Sequence, residues 1–179
     1  GNGNIITASA ALTAGSLTDA IFKLVGADYI GIQGFVMQEN PLNTVITPAS
    51  NNMTEWGVAL LYVSTADGSQ NNAIASNAIS LNRTYNNTWG IYSNTRHSST
   101  LVTTTADIVN NTTGPNSGNR VYANTISNVK MGIAFIGSGT TANQDIGNDI
   151  GGTSAITANT ITNWGGAAAA SGYISNSGT

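Results

Sequence analysis

Apolar positions in this chain fall in short runs bounded by Asn, Gly, Ser and Thr, and three of the runs superimpose. They are Ile74-Ala75-Ser76-Asn77-Ala78-Ile79, Val121-Tyr122-Ala123-Asn124-Thr125-Ile126 and Ile156-Thr157-Ala158-Asn159-Thr160-Ile161, each reading apolar-x-x-Asn-x-Ile. A second unit, an aromatic residue or Met followed by Gly and an apolar residue, comes after the first two as Trp89-Gly90-Ile91 and Met131-Gly132-Ile133. It has an earlier copy in Trp56-Gly57-Val58, and Ser171-Gly172-Tyr173-Ile174 follows the third run. Self-similarity at wide spacing is the signature of a repeat architecture.

The runs are rich in Ile, Val, Tyr and Thr, which favour strands. They predict strands over 21–25, 29–33, 58–64, 73–75, 78–81, 90–93, 120–123, 125–127, 132–136, 155–158, 160–162 and 173–175. One helix candidate, 16–24, has Ser16 or Thr18 as a cap. No Asn-Gly or Asp-Gly turn joins two long alternating strands, so hairpins are not expected. Like segments recurring in one direction predict parallel stacking at about 4.8 Å per layer. The expected fold is all-β, a solenoid of about five coils over 1–179 with almost no helix, its unequal periods absorbed in loops at 37–55, 94–119 and 137–154.

Two columns follow from the alignment. Asn77, Asn124 and Asn159 share one, with Gln33 expected there in an earlier coil; stacked amides can hydrogen-bond up a stack. Gly57, Gly90, Gly132 and Gly172 form the other, where a special backbone conformation or a close approach would forbid a Cβ. The expected core is a set of apolar ladders that includes Ile74, Ile79, Ile91, Val121, Ile126, Ile133, Ile156 and Ile161.

Composition narrows the function classes. Only 7% of residues are charged, against roughly a quarter in ordinary domains, and 24 Asn with many Thr, Ser and Gly make the surface neutral and polar. The five basic residues, Lys23, Arg83, Arg96, Arg120 and Lys130, are scattered on a chain of net charge −3, which argues against nucleic acid. No apolar run approaches the roughly 20 residues of a membrane span. The start, Gly1-Asn2-Gly3-Asn4, has no signal-peptide pattern. Cysteine is absent, which removes disulfides and thiolate metal sites.

At Asn72 to Ile79 followed by Gly90-Ile91-Tyr92, the chain resembles the right-handed parallel β-helix repeats of the pectate-lyase superfold, whose coils read Asn-x-Ile-x-x-Asn-x-Ile and then Gly-Ile-Tyr. Four further segments resemble large Bacteroidota cell-surface proteins exported by the type IX secretion system: 27–35, 81–84, 90–94 and 147–152. The resemblance implies a right-handed parallel β-helix, location outside the cell or on its outer surface, and a role as a stalk or adhesin. It implies a segment of a longer protein, whose partners at the open ends are further coils or neighbouring chains. Surface glycans are further candidate partners, and no cofactor is expected. The same fold also carries polysaccharide lyases and hydrolases, so a carbohydrate-active enzyme, a glycan-binding module and a filament-forming subunit stay open as alternatives.

The chemistry is sparse. The eight acids are Asp19, Asp28, Glu39, Glu55, Asp67, Asp107, Asp145 and Asp149, and only the last two lie close together. Asp145 and Asp149 could offer oxygens to Ca²⁺, or cap backbone amides in a polar loop. His97 is the only histidine; with Arg96 it stands in a loop that could bind a ligand, and no Gly-x-Ser-x-Gly supports a nucleophile. Trp89, sharing a column with Trp56 and Met131, could stack on a sugar or cover the edge of the core. Five Asn-x-Ser/Thr matches, beginning at Asn52, Asn82, Asn86, Asn110 and Asn111, are what chance gives in so Asn- and Thr-rich a chain.

Overall fold

The computed structural model describes residues 3–10, 12, 19–64, 66–98, 115–137 and 144–165, with the backbone alone at 48 and 95–98. The described strands, in chain order, are β1 (Asn4–Thr7), β2 (Ala20–Val25), β3 (Gly31–Gln33), β4 (Phe35–Gln38), β5 (Trp56–Tyr62), β6 (Ala73–Ala75), β7 (Ala78–Ser80), β8 (Trp89–Ser98), β9 (Arg120–Tyr122), β10 (Thr125–Ser127), β11 (Met131–Ile136), β12 (Asp149–Ile150) and β13 (Thr160–Thr162). A single 3-10 turn, Pro48–Ser50, is the only helical element among the described residues.

Three sheets result, with strand orders β1-β4-β7-β10-β13, β2-β5-β8-β11 and β3-β6-β9-β12; these are called the first, second and third sheet. All strand pairings within them are parallel. After β1 the chain visits the second, third and first sheet in that order, again and again, so each strand lies on the equivalent strand of the previous cycle. The end carrying β11, β12 and β13 is called the upper end.

Register puts like on like. Ile6, Met37, Ile79, Ile126 and Ile161 stack in the first sheet, Ile32, Ile74, Val121 and Ile150 in the third, and Phe22, Val58, Ile91 and Ile133 in the second. The central members of these ladders are fully buried and form one core with Leu24, Leu60, Leu81 and Val129. Burial of each such side chain contributes about 1.5–3 kcal/mol. The glycine column serves this core by close approach. A Cβ on Gly57 would stand 2.6 Å from Ile79 Cγ2, on Gly90 2.4 Å from Ile126 Cγ2, and on Gly132 2.6 Å from Ile161 Cδ1. Gly172 lies outside the described residues.

One corner of all four cycles, and a second corner of the first three, turns through a left-handed residue. Tyr29, Asn71, Gly118 and Gly147 occupy the corner before the third sheet, and Gly34, Ser76 and Ala123 the corner before the first. In the later cycles Asn follows directly: Asn72, Asn119 and Asn148 at one corner, Asn77 and Asn124 at the other. The left-handed turn is thus made by the residue before each of these Asn, and the Asn side chain does the hydrogen bonding.

Several expectations are corrected. The helix candidate fails where it is described, because Ala20–Val25 is β2; β5 takes its backbone hydrogen bonds, which a lone helix of two turns could not outweigh. Ile156 is 87% exposed and lies outside the core; 155–157 is a turn, not a strand, and the ladder position above Val121 belongs to Ile150. An insertion between Ile150 and Asn159 moved the apparent motif off register. Gln33 pairs with Ala75, so the residue beneath Asn77 is Phe35. Strands β1, β4 and β12 were not expected at all, and 173–175 lies outside the described residues.

Candidate functional site

Polar chemistry in this molecule concentrates in three columns of buried side chains that climb the stack. In the first, Phe35 N donates to Asn77 Oδ1 (3.1 Å), and Asn77 N and Nδ2 donate to Asn124 Oδ1 (3.1 and 3.0 Å). Asn124 N and Nδ2 donate in turn to Asn159 Oδ1, both at 3.0 Å. The Nδ2 groups also reach down to the carbonyls of Ile32, Ile74 and Val121 at 2.8–2.9 Å. The second column repeats the scheme with Asn72, Asn119 and Asn148. Ile30 N donates to Asn72, Asn72 N and Nδ2 to Asn119, and Asn119 N to Asn148, at 2.8–3.0 Å. Asn124 uses both lone pairs of Oδ1 and both protons of Nδ2, whereas Asn119 accepts twice through Oδ1 and donates from Nδ2 to the Ser69 carbonyl at 2.9 Å.

The third column lies three residues before the second. Ala27 N donates to Ser69 Oγ at 3.4 Å, Ser69 N to Asn116 Oδ1 at 2.8 Å, and Asn116 N to Asp145 Oδ1 at 2.7 Å. Ser69 Oγ donates to the Leu24 carbonyl (2.7 Å) and Asn116 Nδ2 to the Leu60 carbonyl (3.1 Å). Burial pushes the Asp145 carboxyl up to about 6, partly opposed by the Asn116 N–H.

Among the described residues the ladders end at the upper end. Ile133, Ile150 and Ile161, one residue from each sheet, border a concavity of about 570 Å³ whose rim is the 151–155 turn and Asn159. Ile150 is 46% and Ile161 37% exposed, whereas their partners Val121 and Ile126 are fully buried. This is the candidate interaction surface of the molecule.

The residues singled out from sequence do not gather there as one site. Trp89 is 1% exposed and presents no face to solvent; it packs with Trp56, Ala59, Leu61 and Tyr92 in a second apolar cluster. Trp56 stacks on Tyr92 with centroids 5.0 Å apart, and Trp89 tilts against the same ring at 5.3 Å. Arg96 and His97 belong to β8 by backbone, but their side chains lie outside the described residues. Asp145 sits in the third column, whereas Asp149 accepts from Tyr122 Oη (2.6 Å) and Gly152 N (3.0 Å). The Tyr122 phenol is raised above its ordinary value chiefly by that bond. Among the described residues no three of His, Cys, Asp and Glu gather as a metal-binding group.

Two carboxylates that sequence reasoning passed over have structural posts. Glu39 accepts from Asn40 N, Asn43 Nδ2, Thr54 N and Thr54 Oγ1 at 2.7–3.0 Å, pinning the loop between β4 and β5. Buried Glu55 accepts from Asp19 N at 2.9 Å and from Tyr85 Oη at 3.4 Å. Burial, with Glu55 adding to it against a lowering Asn87 bond, pushes the Tyr85 phenol up to about 12. The Asn72, Asn119 and Asn148 column also went unread, although Asn-x-apolar recurs at each: Asn72-Ala73-Ile74, Asn119-Arg120-Val121 and Asn148-Asp149-Ile150. Comparison with protein-family models, with curated proteins and with solved structures finds no match for this chain.

Proposed function

We propose that this chain is a stretch of a right-handed parallel β-helix that serves as a non-catalytic stalk or adhesin on an outer cell surface. One observation carries the reading. Among the described residues, Ile133, Ile150 and Ile161 border a concavity at the upper end, with Ile150 and Ile161 exposed, and Asn148 and Asn159 are the last amides of columns that a further coil would continue. The partner at that end is therefore a further coil, carrying Ile over Ile and an amide or hydroxyl over Asn. A neutral surface of amides and hydroxyls, with 7% charged residues, suits a spacer that must not stick to ions or nucleic acid. Catalysis would need an acid free to exchange protons. Glu39 instead holds four donors, and Asp149 is engaged by Tyr122 Oη and Gly152 N.

Protease shaving of intact source cells, followed by peptide mapping of the parent band, tests the reading. Peptides of this chain released from the surface and mapping to a parent well above 18.2 kDa are the expected result. Recovery only from the cell interior, or depolymerisation of a polysaccharide by the purified protein, would overturn it.

A further inference from the structure

We propose that Asp145 is a proton-operated latch on the uppermost cycle: the stack holds it as a neutral acid that donates through Oδ2 to the Ser93 carbonyl, and its ionisation loosens the segment that carries it. The argument starts from equivalence of position. Asn116 Oδ1 accepts from Ser69 N at 2.8 Å, and Asp145 Oδ1 accepts from Asn116 N at 2.7 Å, so the two acceptors do the same job one cycle apart. That assigns Asp145 Oδ2 to the place held below by Asn116 Nδ2, which is a donor. Asn116 Nδ2 donates one proton to the Leu60 carbonyl and the other to Ser93 Oγ, and Ser69 Oγ, one cycle lower, lies within donating distance of the Leu24 and Leu61 carbonyls. Leu24, Leu60 and Ser93 are consecutive in the register of the second sheet. The group facing Asp145 Oδ2 is then the carbonyl of Ser93, an acceptor.

An ionised carboxylate would aim a second acceptor at that carbonyl. Asp145 Oδ2 is in fact buried and has no hydrogen-bond partner, which is the state an unprotonated oxygen must have there. A proton on Oδ2 restores the donor that both lower cycles possess. Burial pushes the group toward the same state, and the carboxyl is raised from 3.8 to about 6. No acid or base among the described residues contributes to that shift. Asp149 is engaged by Tyr122 and Gly152, and Gly137, at the end of β11, offers no side chain.

The direction in pH follows from linkage. The folded form holds its proton more tightly than the unfolded chain, so the stability that Asp145 contributes is fully present below about 4. It is lost as pH rises through about 6. The upper end is firm in acid and loosens toward neutrality.

The test is hydrogen exchange at the Asn116 amide, which donates to Asp145, in the wild-type chain and in Asp145→Asn. After correction for intrinsic exchange, wild-type protection should fall by up to about 25-fold between pH 4.5 and 7.5, the part of the two-unit shift that this window spans. Asp145→Asn, with a permanent donor at the same place, should show no such fall and should be the better protected of the two at pH 7.5. Equal protection of the wild type at both pH values would overturn the proposal, as would an Asp145→Asn profile that falls in parallel. If Asp145→Asn fails to fold, a ¹³C titration of the wild-type carboxyl decides, and a midpoint near 4 would refute the latch.

Discussion

Asn124 offers the sharpest test of what the amide columns contribute. It is 1% exposed and sits in the middle of its column. Its Oδ1 accepts from Asn77 N and Asn77 Nδ2, and its Nδ2 donates to the Ile74 carbonyl and to Asn159 Oδ1. Asn124→Ala removes all four bonds. Asn77 Nδ2 keeps the Ile32 carbonyl, and Asn159 Oδ1 keeps Asn124 N, but the buried Asn77 N–H loses its partner in this column. An orphaned buried N–H costs about 1–3 kcal/mol and each lost amide bond about 1 kcal/mol. With one orphaned N–H and three further amide bonds lost, the expected loss is about 4–6 kcal/mol in urea-unfolding free energy followed by circular dichroism. Asn159→Ala is the control. It also strips Asn124 N and Nδ2 of their acceptor, but the residue is half-buried and, among the described residues, accepts no bond from above and donates only to the Val121 carbonyl, so the change should cost less, about 2 kcal/mol. Equal losses at the two positions, or a loss under 1 kcal/mol at Asn124, would refute the argument that the column is a buried, saturated network. Should Asn124→Ala not fold, Asn124→Ser, which keeps a shorter donor and acceptor, gives the same comparison.

The glycine column predicts that Gly90→Ala destabilises by about 1–3 kcal/mol through overpacking on Ile126. The loss should shrink in an Ile126→Ala background, and a double-mutant cycle showing no coupling would contradict the contact. At the corners, Ala123 has φ of 53°, a conformation that costs a non-glycine residue about 1–2 kcal/mol. Ala123→Gly should therefore stabilise by up to about 1 kcal/mol, read as a raised denaturation midpoint. Tyr85, raised from 10.0 to about 12, contributes stability that is present below pH 10 and lost as pH climbs toward 12. Tyrosinate absorbance of Tyr85→Phe should lack a step near pH 12 that the wild-type alkaline titration shows.

What could be read in the sequence was what repeats at fixed spacing within one cycle. Asn77 and Asn124 stand in the same apolar-x-x-Asn-x-Ile pattern, and Gly57, Gly90 and Gly132 each lie between Trp or Met and Val or Ile, so the alignment found both columns. The glycines proved to need room and not an unusual φ: none of the three is among the positive-φ residues, and each faces an Ile of the first sheet. The misreadings come from places where local pattern and register part company. Ile156-Thr157-Ala158-Asn159 imitates the motif, yet the chain reaches the third sheet earlier, at Ile150, and spends the extra residues on an exposed turn. Gln33 looked like a degenerate Asn because both are amides, but Gly34 takes the left-handed corner and register puts Phe35 in the column. β1 and β12 are two to four residues long, too short for periodicity to show. Their signal was the Asn-x-Ile of Asn4 to Ile6 and of Asn148 to Ile150. The latch position of Asp145 was illegible, since nothing local distinguishes a carboxylate on a polar loop from one half-buried on top of a stack.

The chain has no cysteine, which gives a clean background for mapping the stack by engineered disulfides. In-register parallel stacking pairs Ala78 with Thr125, and Thr125 with Thr160, on neighbouring strands of the first sheet. Strands about 4.8 Å apart put the first pair within disulfide reach, while Ala78 and Thr160, two layers apart at about 9.6 Å, are beyond it. The account predicts that Ala78→Cys with Thr125→Cys oxidises to an intramolecular disulfide and that Ala78→Cys with Thr160→Cys does not. Ready closure of the second pair, or failure of the first in a folded variant, would contradict the three-sheet stack on which the proposed role rests.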